Sequence, residues 1–89
     1  MSKSTHTPQY DALRRLLVSM RKDAKLSQRD LAERLERDQN YVYRVEGGDR
    51  RLDVLELYWY CQALDQDPYK TIAAIFKDFD RMSTTKIRK

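Results

Sequence analysis

Eighty-nine residues, 40% hydrophobic and 36% charged, suffice for one compact domain with a modest core and leave no room for a second domain with separate chemistry. No stretch approaches the roughly 20 apolar residues of a membrane span, Met1–Thr7 lacks the apolar run of a secretory signal, and a single cysteine cannot form an internal disulfide, so a soluble cytoplasmic protein is expected. The net charge of +4 comes from the ends, because Lys3, Arg81, Lys86, Arg88 and Lys89 lie in residues 1–8 and 81–89 without an acid, and any attraction to a polyanion must come from those tails and from local arginine clusters.

Residues 1–7 read as a flexible tail. Thr7-Pro8 then places a capping hydroxyl before a proline at the first helical position, and Tyr10, Leu13, Leu16, Leu17 and Met20 recur at helical spacing. This first helix is predicted to end near Lys25, with Arg14-Arg15 and Arg21-Lys22 on its wet side. Ser27-Gln28-Arg29-Asp30 has the form of a capping box and opens a second helix from Gln28 to Leu35. Asp38 is the next capping residue, for a short polar helix from Gln39 to Glu46 that Gly47-Gly48 would stop with a left-handed terminus.

Asp53 and Glu56 repeat the capping-box pattern before a fourth helix that runs through Leu64. Asp67-Pro68 begins a fifth, which reaches about Asp80, and residues 81–89 form a basic flexible tail. Val54, Leu57, Tyr60, Cys61 and Leu64 make the expected inward stripe of helix four. A second apolar set, Leu55, Trp59 and Ala63, lies on roughly the opposite side, and helix five adds Tyr69, Ile72, Ile75, Phe76 and Phe79. Two arrangements account for this surplus. Either helix five folds back onto Trp59 within the chain, or Leu55, Trp59, Ala63, Ile72, Ile75, Phe76 and Phe79 meet their own copies across a two-fold axis.

The second and third helices carry the chemistry. Leu31, Ala32, Leu35, Val42 and Val45 are apolar where two short helices at a tight corner must touch, and the small Ala32 permits close approach. With Val42 and Val45 inward, a turn of 100° per residue puts Gln39, Asn40, Tyr43 and Arg44 on the outer side and Tyr41 at the border. Amides that can pair with adenine, an arginine for guanine or phosphate, and a tyrosine with a ring and a hydroxyl suit the major groove of DNA. An ordinary solvated helix would also be polar here, but the helix-turn-helix frame favours groove reading. Asp38 has two readings, a helix cap and a contact to a cytosine amino group.

The segments Leu26-Ser-Gln-Arg-Asp-Leu-Ala-Glu-Arg-Leu35, Val45-Glu46-Gly47-Gly48, Arg51-Leu52-Asp53-Val54-Leu55-Glu56 and Ala63-Leu64 resemble the Xre family of phage-repressor-like regulators over about residues 10–68. The resemblance implies an all-α, five-helix, λ-repressor-like DNA-binding domain over residues 8–80, with the helix-turn-helix at helices two and three. It also implies a bacterial or phage-encoded, nucleoid-associated transcriptional regulator that binds double-stranded DNA as a homodimer. Gln39, Asn40 and Tyr43 match the family's base-contacting positions, with Asp38 at their edge. Gln28, Arg29, Arg44, Arg50 and Arg51 match positions facing the phosphate backbone, and Glu46 matches a structural acid. The chain departs from the family at Glu36, where glycine is usual; a left-handed backbone there costs a non-glycine residue about 1 kcal/mol.

Catalysis has little to work with. His6 sits alone in the N-terminal tail, Cys61 falls on an inward stripe, and no acid pair, phosphate-cradling glycine loop or metal-ligand spacing occurs. Neither an enzyme, a cofactor, a metal, a membrane nor a small-molecule substrate is expected. The rival reading is an antitoxin-like or adaptor protein whose partner protein binds the apolar surface around Trp59 and Phe76.

Overall fold

The computed structural model describes residues 7–82. The expectations for His6, Lys3, Lys86, Arg88 and Lys89 therefore lie outside the described residues. Those described form five α-helices and no strand: α1 (Pro8–Asp23), α2 (Gln28–Leu35), α3 (Gln39–Gly47), α4 (Val54–Ala63) and α5 (Pro68–Met82). The expected starts are all found, the end of α2 falls at Leu35 as expected, and the other ends shift by one or two residues. At the C-terminus α5 takes in Arg81, which pairs with Asp78 one turn back instead of opening a tail.

Local chemistry explains the starts. Thr7 Oγ1 accepts from the Tyr10 amide at 3.1 Å, Ser27 and Asp30 exchange both bonds of a capping box at 3.0 Å, and Asp53 and Glu56 do the same at 2.8 and 3.0 Å. Asp67 Oδ1 accepts from the Tyr69 amide at 2.8 Å at the head of α5. The first four helices also end alike, each with a left-handed residue followed by an amide that bonds back five residues. The left-handed residues are Lys25 (φ 61°), Glu36 (φ 58°), Gly48 (φ 88°) and Asp65 (φ 56°). The amides of Leu26, Arg37, Asp49 and Gln66 donate to the carbonyls of Arg21, Ala32, Arg44 and Cys61 at 2.8–3.2 Å. Glu36 thus adopts the conformation for which the family uses glycine. Glycine matters most at position 48, where a Cβ would also approach the Arg14 side chain to 3.2 Å.

The core lies where α1, α2, α3 and α4 converge. Leu17, Leu31, Val42, Val45 and Tyr60 are fully buried there, and Ala32 nearly so, with Leu13, Leu16, Leu35 and Leu57 packed around them. Complete burial of an aliphatic side chain of this size contributes about 1.5–3 kcal/mol, which makes this cluster the main support of the α2–α3 corner. Tyr60 brings a hydroxyl into the cluster that finds no protein partner among the described residues, and burial pushes its pKa well above that of an ordinary phenol. Tyr60→Phe is therefore expected to raise stability by about 1 kcal/mol by removing an unpaired buried dipole. The measurement is the urea midpoint at unchanged m-value, and a clear loss of stability would show that the hydroxyl is satisfied.

Four expectations about packing need correction. Arg21 does not lie on the wet side of α1: it is buried and ion-paired, and Arg14 is half-buried beneath the end of α3. Val54 does not join the inward stripe of α4; it is 80% exposed, because Glu56 takes the core side of that first turn. Helix α5 lies against α1 and α4 but does not bury Trp59, which stays 45% exposed. This placement buries Ile75 to 3% exposure inside the protomer, so Ile75 is not available to a partner copy. Phe76 stays exposed, and its ring lies 6.1 Å from that of Phe79.

Candidate nucleic-acid interface

Helix α3 presents two unlike sides because Val42 and Val45 are locked into the core and everything between them turns outward. Gln39, Asn40, Tyr43 and Arg44 are all exposed, and Tyr43 is 60% so. Asp38 caps the helix: its Oδ1 accepts from the Tyr41 amide at 3.2 Å, which leaves the carboxylate at the N-terminal edge of this outer row. Arg29 is exposed on the first turn of α2, and Arg51 is exposed in the loop between α3 and α4.

Beneath the outer row, a buried carboxylate fixes the angle of α3. Glu46 Oε2 accepts from Arg21 Nε at 2.6 Å, and Glu46 Oε1 accepts from Arg21 Nη2 at 3.0 Å and from Gln28 Nε2 at 2.9 Å. Arg21 also donates to the Leu26 carbonyl at 2.9 Å, and Arg14 donates to the Glu46 carbonyl at 2.7 Å. The hydrogen bonds to Glu46 hold the Arg21 guanidinium above its ordinary pKa. One anion thus ties α1, α2 and α3 together. Gln28, expected at the phosphate backbone, uses one of its two amide hydrogens in this network.

A second cluster ties the α3–α4 loop to α4. Arg50 makes a two-pronged pair with Glu56 at 2.9 and 3.0 Å, and Glu56 also accepts from the Asp53 amide at 3.0 Å. The Arg50 guanidinium is the main reason that the Glu56 carboxyl stays below the usual carboxylate range. Arg37 reaches the same carboxylate only at 3.5 Å. The Arg37 and Arg50 guanidiniums lie 4.2 and 4.8 Å from the centre of the Tyr41 ring, so Tyr41 is buried under them instead of standing at the border. Tyr10 completes the loop: its hydroxyl accepts from the Leu52 amide at 3.1 Å and donates to the Arg50 carbonyl at 3.3 Å.

The sequence reading has Glu46 as a structural acid and Asp53 with Glu56 as a capping box but gives neither glutamate its arginine partners, although a signal for the first pair exists. Arg21 follows Leu17 by four residues and Glu46 follows Val42 by four, so each continues an inward stripe with a charge. The cluster around Tyr41 joins residues from three segments and has no comparable signature. On α4, Leu55 and Trp59 are exposed as expected, with Val54 and Tyr58 beside them, while Ala63 is half-buried. On α5, Phe76 is exposed, Ile72 and Phe79 are half-buried, and Ile75 is inside.

Among the described residues no group of histidine, cysteine, aspartate or glutamate is arranged to hold a metal ion, and no helix is long and apolar enough to cross a membrane. Cys61 is buried, and that burial raises its thiol pKa.

A helix-turn-helix domain family model matches residues 12–75. The fold is similar to that of an XRE-family like protein from Pseudomonas syringae pv. tomato, with a TM-score of 0.77 and 37% identity over 85% of this chain and 93% of that one. It is also similar in fold to the clp gene regulator ClgR from C. glutamicum, with a TM-score of 0.70 and 23% identity over 89% of this chain and 99% of that one. No curated protein matches the chain. The match over most of the length, the five-helix architecture and the outward polar row of α3 agree, and the chain belongs to the Xre-type helix-turn-helix family of DNA-binding transcription regulators.

Proposed function

We propose that the protein is a sequence-specific regulator that binds double-stranded DNA in the cytoplasm as a homodimer, with α3 of each copy in the major groove of one half of a pseudo-palindromic operator. The observation that carries this reading is the exposed row Gln39, Asn40, Tyr43 and Arg44 on a helix whose opposite side is held by Val42, Val45 and Glu46. Gln39, Asn40 and Tyr43 read bases, with the cap Asp38 at their edge. Gln28, Arg29, Arg44 and Arg51 face phosphates. Arg50, grouped with these by resemblance, is already committed to Glu56. The DNA-binding unit spans residues 8–80, and the basic ends add attraction that depends on salt.

Dimerisation is supported by the exposed apolar side of α4. Leu55 and Trp59 are exposed, with Ala63 at the border, and Phe76 and the half-buried Ile72 and Phe79 extend the apolar surface of α5. One such domain covers only a few base pairs, and two half-sites about 34 Å apart raise affinity and specificity together.

The test is selection from a random DNA pool followed by sequencing, with sedimentation of the free protein at micromolar concentration. Recovery of a pseudo-palindrome and a dimeric species is expected. Leu55→Ala together with Trp59→Ala should yield monomers and lower operator affinity by about 100-fold, since the second half-site is no longer tethered to the first. No enrichment at any salt concentration would overturn the DNA reading and favour an adaptor whose partner is a protein bound at this same apolar surface.

A further inference from the structure

In the cluster around Tyr41 two guanidiniums face the Glu56 carboxylate, with the capping Asp53 beside it, and the two cations are not held alike. Arg50 makes both prongs of a bidentate pair with Glu56, adds a bond to the Arg51 carbonyl at 2.8 Å, and is the first cause of the depressed Glu56 pKa. The Glu56 side chain is only 8% exposed, so withdrawing Arg50 towards a phosphate would leave a nearly buried carboxylate without its main partner. Arg37 touches the same carboxylate at the edge of hydrogen-bond range, and its side chain is 40% exposed. Arg50 thus supplies the close pairing of the Glu56 carboxylate by itself, and Arg37 is the more weakly held of the two cations.

Arg37 lies in the turn directly before the Asp38 cap, at the end of α3 that bears Gln39 and Asn40. Its guanidinium rests on the Tyr41 ring, which limits the freedom lost on binding, while its planar fork suits phosphate oxygens. The geometry points to Arg37 as a phosphate contact of the DNA complex and to Arg50 as a positioning residue that neutralises Glu56 and fixes the α3–α4 loop. This assignment rests on the DNA-binding reading above and identifies which arginine of the pair meets the duplex backbone.

Counterion release separates the two roles, since a structural residue does not change the number of phosphates neutralised. Each phosphate contact contributes about 0.9 to the slope of log K against log salt, which is about a 3.5-fold change in affinity between about 50 and about 200 mM salt. Binding of the full chain to its selected operator is measured across that range. Arg37→Ala is expected to lower the slope by about 0.9 per protomer with a melting temperature close to that of the wild type, and Arg37→Lys to restore most of the slope. Arg50→Ala alone strands the nearly buried Glu56 carboxylate and compromises folding, so Arg50 is tested in the charge-balanced pair Arg50→Met with Glu56→Gln, where the glutamine can still accept from the Asp53 amide. That double variant is expected to keep the wild-type slope. An unchanged slope in Arg37→Ala, or a slope lowered by about 0.9 in the double variant, would overturn the assignment while leaving DNA binding intact. A wild-type protein that binds no DNA would instead remove the functional reading and this assignment together.

Discussion

Glu46→Ala is expected to cost about 3–5 kcal/mol of folding stability, because it strands the Arg21 guanidinium in the core without its partner. Domains of this size have total stabilities of about 5–15 kcal/mol, so the variant should be marginal or unfolded near 37 °C. The effect extends beyond one bond: the Glu46 carboxylate joins Arg21 of α1 to Gln28 of α2, and its loss removes the brace that sets α3 against both. Urea denaturation followed by circular dichroism gives the magnitude. Arg21→Met with Glu46→Met should be much milder, since removing both charges leaves nothing buried and unpaired. If Glu46→Ala loses less than about 1 kcal/mol, the pair is solvated and α3 is positioned by its valines alone.

Gln39→Ala with Asn40→Ala is expected to abolish operator preference while non-specific, salt-dependent binding survives. Each bidentate amide–base contact discriminates by about 1–3 kcal/mol, and specific binding stands about 10³–10⁷-fold above non-specific binding. Both side chains are exposed and contribute nothing to the core, so the melting temperature should stay within about 1–2 °C of the wild type. Competition between selected and scrambled duplexes reads the loss directly. Arg44→Ala provides the contrast, weakening binding to all sequences alike and lowering the salt slope. A double variant that still selects the wild-type operator would mean that α3 does not face the bases.

The starts and ends of the helices were legible because they depend on neighbours in the chain. Thr7, Ser27, Asp38 and Asp53 each reach an amide three residues on, and the geometry of that reach is set by the backbone alone. The outward row of α3 was legible for a related reason: two buried valines define an axis, and the helical period places every other residue around it. Burial of Tyr41 escaped that argument, since its cover comes from Arg37 and Arg50, on either side of α3 in sequence, and not from its own helix.

Sequence by itself determined the five-helix order, the helix-turn-helix corner and the polar face that would meet DNA, all of which follow from interactions within a few residues and from one repeating angle. Tertiary structure decided the roles of the charges and the course of α5. Arg21 and Glu46 find each other across 25 residues, Arg50 rather than Arg37 closes on Glu56, and α5 turns its Ile75 into the space beside α1. The physical reason is that a charged or apolar side chain carries no record of its distant partner; burial and pairing are settled only when several helices compete for the same space.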